Sequence, residues 1–382
     1  MKKTLIALAA LGTFAGTASA QTNVTIYGVV DTGLVKKTGE DLKFDENLNN
    51  RIGFKAIEDL GGGLKATMNL EKRFNLNDGT NHSEHDKDWE GAANVGIKSD
   101  VWGGVILGRV AELPTEAIRR FDPFDQYGVG AMIASTQRAE HIDNTLRYDS
   151  PTWNGFNFKA SYSLGGNMNS SSRDYSGIND QSMIDENGHS RGYDNDGYAL
   201  SLNYTNGGWD FTGNYSVLAD SNRSSVWNLG AAYSWDTVKV SLLYQMTRDK
   251  GAKEGHYSAW TKASTYRDRE SFGFDPSFNL KENNIANDIV QKQWLAGFEW
   301  KLGPGRLNAS FEYIDMEFNG GEKLGDIDIY KYAIGYTYNL SKRTSLYGVA
   351  SYTDYDHDAV ANIYGDAHNK STAVQVGITH KF

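Results

Sequence analysis

The chain of 382 residues carries 48 Asp or Glu against 38 Lys or Arg, a net charge of −10, which argues against a nucleic-acid partner. Cysteine is absent, so neither disulfides nor thiolate chemistry carries stability or function. Five prolines, 41 glycines and 22 tyrosines, with no Pro- or Ser-rich linker, point to one domain of strands and turns rather than two soluble ones. The mean hydropathy of −0.55 is low for a membrane protein, but it is the value expected where half of each strand faces water.

Lys2 and Lys3, the apolar run 5–14 and the small residues Ala18-Ser19-Ala20 read as a secretory signal peptide over 1–20, cleaved after Ala20. Residues 21–382 then read as a single barrel domain. Sixteen runs of period two follow, near 24–34, 50–58, 63–75, 92–98, 104–110, 144–150, 155–165 and 196–205, then 209–218, 227–235, 237–248, 291–302, 305–317, 328–340, 343–355 and 371–382. Phe156, Phe158, Ala160 and Tyr162 alternate with Asn157, Lys159, Ser161 and Ser163, and Trp294, Ala296, Phe298 and Trp300 repeat the pattern. Apolar faces that begin and end in rings mark two water–lipid boundaries around a hydrocarbon band, whereas a soluble sandwich would place its rings centrally.

The last run, 371–382, would leave an unpaired edge unless it meets the first, and an open edge in a membrane is prohibitively costly. The fold class predicted is therefore all-β, a sixteen-stranded antiparallel transmembrane β-barrel with an inward-folded third loop. Short connections alternate strictly with long ones, which predicts turns in the periplasm and loops outside. Eight strands leave room only for side chains or one ligand, while about sixteen leave a water-filled channel.

The third loop, from Ala111 to Ile142, holds Leu113, Ile118, Phe121, Phe124, Tyr127, Met132 and Ile133, more apolar surface than a solvated loop should expose. Folded inward, these residues would pack on the inner wall while Glu112, Glu116, Asp122 and Asp125 face water; an external flap over the mouth is the alternative. Alternation directs Arg51, Lys55, Lys65, Arg73, Lys98 and Arg147 into the lumen. Arg109 shares the parity of Val105 and Leu107, yet an arginine facing lipid near the midplane would cost roughly 2–4 kcal/mol, so it is placed inside. A basic wall opposite an acidic loop would set up a transverse field at the constriction; merely hydrating the lumen is the plainer role for any one lysine.

Asn23 to Asp31, Arg51-Ile52-Gly53-Phe54-Lys55, Glu58 to Ala66, Leu107-Gly108-Arg109, Asn144 to Pro151 and Ile378 to Phe382 occur in the order in which the general-diffusion porins of beta-proteobacteria and neisserial bacteria carry similar motifs. The whole chain resembles that family. The resemblance implies a homotrimer in the outer membrane of a Gram-negative bacterium, a third loop folded into the pore, and a terminal Phe382 read by the barrel-assembly machinery. One departure is the pair Arg119 and Arg120, which puts two bases among the loop's acids.

Residues 24–110 contain six aromatics in 87 positions and 198–247 nine in 50, which predicts a subunit interface on the first five strands and the last. The expected partners are a second and third copy of this chain, outer-membrane lipid and lipopolysaccharide, and small ions and solutes, with no cofactor. The acidic second and fourth loops could collect divalent cations, but no motif here has a convincing set of metal ligands. No nucleophile elbow, P-loop or zinc-protease motif occurs, so an enzyme is not expected. The alternatives are a substrate-specific channel, or a barrel adhesin or receptor acting through its surface loops.

Overall fold

The structure is a computed structural model that describes residues 22–82, 88–133, 140–164, 196–217, 225–250, 288–319, 327–356 and 368–382. The signal segment with Ala20, most of the fourth loop and most of the 43-residue loop near 248–290 lie outside the described residues. The strands in order are β1 (Thr22–Lys37), β2 (Lys43–Asp45), β3 (Arg51–Gly61), β4 (Leu64–Arg73), β5 (Ala92–Ser99) and β6 (Gly103–Ala111). A short helix α1 (Leu113–Ile118) precedes β7 (His141–Asp149), β8 (Phe156–Ser163), β9 (Gly197–Asn206), β10 (Trp209–Val217), β11 (Ser225–Trp235) and β12 (Val238–Lys250). The chain ends with β13 (Asp288–Leu302), β14 (Gly305–Asn319), β15 (Ile327–Asn339), β16 (Thr344–Tyr355) and β17 (Lys370–Lys381).

Every sequential pair of the sixteen long strands is antiparallel, and β1 pairs with β17 from Val29 opposite Lys381 to Lys37 opposite Ala373. The wall is thus a closed sixteen-stranded antiparallel barrel, with all its edges paired. The one strand that alternation did not reveal is β2, whose three residues pair with Gly33 to Val35 and are too few to show a period.

Closure is fixed by polar as well as backbone bonds. Asp31 is 1% exposed and its carboxylate accepts from the Asn47 amide (2.5 Å), the Tyr347 hydroxyl (3.0 Å) and the Thr379 hydroxyl. Three elements therefore converge on one buried acid at the seam. Beside it Gly33 faces Gly377, and the Tyr347 ring lies where side chains at those positions would be.

The two faces follow the alternation. Val95, Ile97, Leu107, Leu146, Leu200, Leu242, Ile334 and Val376 are exposed on the outer face, which suits contact with hydrocarbon. Rings of adjacent strands meet there in a row, Trp227, Tyr244, Trp294, Tyr313 and Tyr330, with successive centroids 5.0–5.2 Å apart. The opposite face carries a chain of amides: Asn214 donates to Asn228 (2.7 Å), Asn228 to Gln245 (3.3 Å) and Gln245 to Gln293 (3.1 Å), all buried. Buried amides need such partners, and these supply them to one another.

Candidate functional site

The third loop leaves β6 and turns at once into α1. Glu112 is the N-cap: its carboxylate accepts from the Thr115 amide (3.0 Å) and hydroxyl (2.9 Å), and Pro114 occupies the first turn, where its missing N–H costs nothing. Beyond the helix the carboxylate of Asp122 takes three backbone amides, those of Phe124 (3.0 Å), Gln126 (2.9 Å) and Met132 (2.9 Å). That one side chain ties the outgoing and returning arms of the loop together. Glu112 and Asp122 are each 1% exposed, so the expectation that they face water is corrected. Both are occupied in organising the loop backbone. Of the other loop acids predicted to face water, Glu116 is half-buried and Asp125 exposed, with side chains 35% and 53% open.

The loop rests on the polar-parity face of the wall. Asn228 donates to the Pro114 carbonyl (3.3 Å), Ser241 to that of Phe121 (2.6 Å), Asn308 to that of Pro123 (2.8 Å) and Gln293 to that of Ile133 (2.7 Å). Glu312 accepts from the Ile133 amide (3.0 Å) and Gln375 from that of Val129 (3.2 Å). The backbone of an irregular loop is thereby satisfied by wall side chains over β11 to β17.

Under the loop that same face is apolar. Ile118, Phe121 and Met132 pack with Ala232, Leu243 and Leu295, and Phe124 packs with Ala333, Tyr347 and Val349. Three wall glycines make room. A Cβ on Gly230 would lie 2.9 Å from the Phe121 ring, one on Gly297 2.8 Å from Pro123, and one on Gly335 3.1 Å from the Phe124 ring. Burial of each large side chain contributes roughly 1.5–3 kcal/mol.

The predicted basic residues fall into two groups. Arg51, Arg73, Arg109 and Arg147 are each paired. Arg147 contacts Glu116 (2.7 Å) and Asp149 (2.6 Å), and Arg109 contacts Asp143 (2.5 Å) and the Glu90 carbonyl (2.6 Å). Arg73 bonds Glu140 (2.8 Å) and Glu71 (3.3 Å), and Arg51 lies 3.9 Å from Glu71. Arg119 also pairs with Glu140 and stands over the Tyr127 ring, 5.4 Å from its centroid. The sequence-based division into a basic wall facing an acidic loop across a gap therefore takes another form, since Arg147 and Glu116 touch. Of the lysines, Lys55 sits 4.3 Å from the Tyr27 ring centroid, Lys65 pairs with the exposed Asp100 (3.4 Å), and Lys98 lies opposite Lys65 near the same short turn.

Arg109 is buried at 6% although it shares the parity of Leu107. The register shifts between Gly108 and Val110, and Gly108 adopts φ 125°, a conformation open to glycine. This bulge is what re-aims the arginine.

Several residues at the loop were not singled out from sequence. Lys159 joins Arg147 on Glu116; Asp210 pairs with Arg120 (3.2 Å); Lys239 and Arg306 share Glu299 (2.8 and 2.9 Å); Lys331 donates to the Ala131 carbonyl (2.5 Å). Their alternation is visible in the sequence, but nothing in it marks them as partners of the third loop. Partial burial would raise the Glu116 carboxyl, but Arg147 and Lys159 outweigh it and hold it at about 2. At the terminus Phe382 exchanges both backbone bonds with Gly28 (3.1 Å each) and its ring covers that glycine.

A closed barrel with an apolar outer face, ringed by aromatics, and charged groups on the inner parity defines a transmembrane channel of the outer-membrane type. Residues 7–358 match the Gram-negative porin family, and the chain belongs to it. It is 29% identical to an outer membrane porin protein of Bordetella pertussis and 27% identical to outer membrane porin protein 32 of Delftia acidovorans, each over the full length of both chains. Among solved structures it is similar to the anion-selective porin from Comamonas acidovorans, with a TM-score of 0.69 and 22% identity over 95% of this chain and 100% of that one. The protein is an outer-membrane porin.

Proposed function

We propose that the chain is a passive general-diffusion channel for ions and small hydrophilic solutes, without catalytic activity, constricted by its third loop folded inside the barrel. The observation that carries this reading is the set of bonds from Asn228, Ser241, Gln293 and Asn308 to carbonyls of that loop. These wall residues have the parity opposite to the exposed apolar face, so a loop bound to them lies in the water path. Passage then depends on size and on the charges left facing water, chiefly Glu116, Arg119, Arg120 and Asp125 from the loop and Arg51 and Lys55 from the wall, while Arg147 is buried against Glu116.

The same reading extends to assembly. The outer face of β1, β5 and β17 carries Val24, Ile26, Val95, Ile97, Val374 and Val376 and no row of rings, a surface suited to packing against other copies in a homotrimer. The segment 1–20 serves as a signal peptide, Phe382 as the assembly signal, and the loop end contacts lipopolysaccharide.

Liposome swelling with neutral sugars of graded size tests the proposal. Rates should fall smoothly with size and rise linearly with concentration; saturation by one sugar would show a substrate-specific channel instead.

A further inference from the structure

We propose that the third loop is indexed along the wall by a charge key, minus-plus-minus on the loop against plus-minus-plus on the wall, with Arg120 and Asp210 as its central pair. The proposal rests on the reading that this loop forms the constriction. Arg120 is a positioning residue in it.

Glu116, Arg120 and Asp125 are four and five residues apart, and all three reach towards the short-turn ends of the strands. Glu116 meets Arg147 (2.7 Å) and Lys159 on β7 and β8; Arg120 meets Asp210 (3.2 Å) and Asn203 (3.0 Å) on β10 and β9; Asp125 meets Arg306 (3.7 Å) on β14. The neighbouring Arg119 turns to the other side, to Glu140, so the two adjacent arginines have separate partners. Lys239 on β12 donates to the Arg120 carbonyl (2.5 Å) while its charge is met by Glu299.

The apolar contacts and glycine seats beneath the loop favour one position by shape, but apolar packing is non-directional and cannot repel a wrong partner. Charge order can. A slip one way would set Glu116 against Asp210, and a slip the other way would set Arg120 against Arg147 and Lys159 and Asp125 against Asp210, each a like-charge contact. Rejection of the wrong register by repulsion is the same device that sets partner choice at interfaces. It also gives Arg120 a role among the acids of the loop.

The test is single-channel recording from the intact oligomer in a planar bilayer for Arg120→Asp, Asp210→Arg and the double swap. Each single variant should lose the uniform open level of the natural channel and show substates and excess open-channel noise. That noise should be greater at 0.1 M salt than at 1 M, where the Debye length falls from about 10 Å to about 3 Å. The double swap should recover the uniform level. Arg120→Gln, which adds no repulsion, should give a smaller disturbance and serves if the reversal does not assemble. A natural conductance level and noise in both Arg120→Asp and Arg120→Gln would overturn the key while leaving the pore reading intact. Substates that persist unchanged in the double swap would also overturn it. No steps from the natural, folded oligomer would overturn the pore reading and this proposal with it.

Discussion

The early wall, β1 to β7, and the later wall, β8 to β17, are built from the same alternating grammar but do opposite things with it. On the early wall the outer face is largely aliphatic and the inner face carries arginines and lysines met by acids or a ring, as with Arg51 beside Glu71, Lys55 over Tyr27 and Arg73 on Glu140. On the later wall the outer face is aromatic and the inner face is a bed for the third loop, with glycine, alanine and leucine where polar residues stand elsewhere. On the proposed inward fold, the constriction is seated chiefly on the later wall, with Arg73 and Arg147 of the early wall reaching Glu140 and Glu116 of the loop. What separates the two is whether the inner parity is polar throughout or interrupted by small and apolar residues.

The largest disturbance to this contrast should come from Asp122→Ala. Three buried amides would lose their acceptor, at roughly 1–3 kcal/mol for each donor left unsatisfied. The loop should become cleavable by added protease and the conductance should change, while the barrel's own melting stays close to that of the natural protein. Gly230→Val should come next, since the added side chain enters the Phe121 ring, and overpacking costs roughly 1–3 kcal/mol. A lower melting temperature or an altered conductance checks it; the same change at Gly348, where a Cβ would meet only Val376 at an ordinary 3.8 Å, should leave the loop in place.

The clip at Glu116 predicts a pH dependence. Its folded carboxyl titrates at about 2, below the ordinary 4.5, so its contribution is complete above 4.5 and lost as pH falls towards 2. Open-channel noise should rise over that window, and Glu116→Gln should show at neutral pH the noise that the natural channel shows near pH 2. The smallest effect expected is that of Lys98→Gln, which removes one exposed charge on the early wall and should move the reversal potential in a salt gradient slightly towards cation preference.

The sixteen long strands were legible because period two survives even where boundaries blur, and the closure of β1 on β17 followed from the cost of an open edge. Opposing charges at the loop were legible as residues but not as partners. Alternation says which way Arg147 points, and only the fold brings it to Glu116 rather than across a gap. The bed for the loop leaves a trace in the sequence: Leu243 follows Leu242, Leu295 follows Trp294, and Ala333 follows Tyr332, so apolar residues occupy both parities where the loop rests. The glycines beneath Phe121, Pro123 and Phe124 were silent because a glycine carries no side chain for alternation to count.

As proposed, the third loop lines the water path, and Asp125 is its most exposed acid. The natural chain has no cysteine, so Asp125→Cys offers a single thiol to a charged, membrane-impermeant methanethiosulfonate reagent added during current recording. A stepwise change in current as each thiol reacts, reversed by a reductant, is the expected result. Complete labelling of the folded oligomer with no change in current would contradict it.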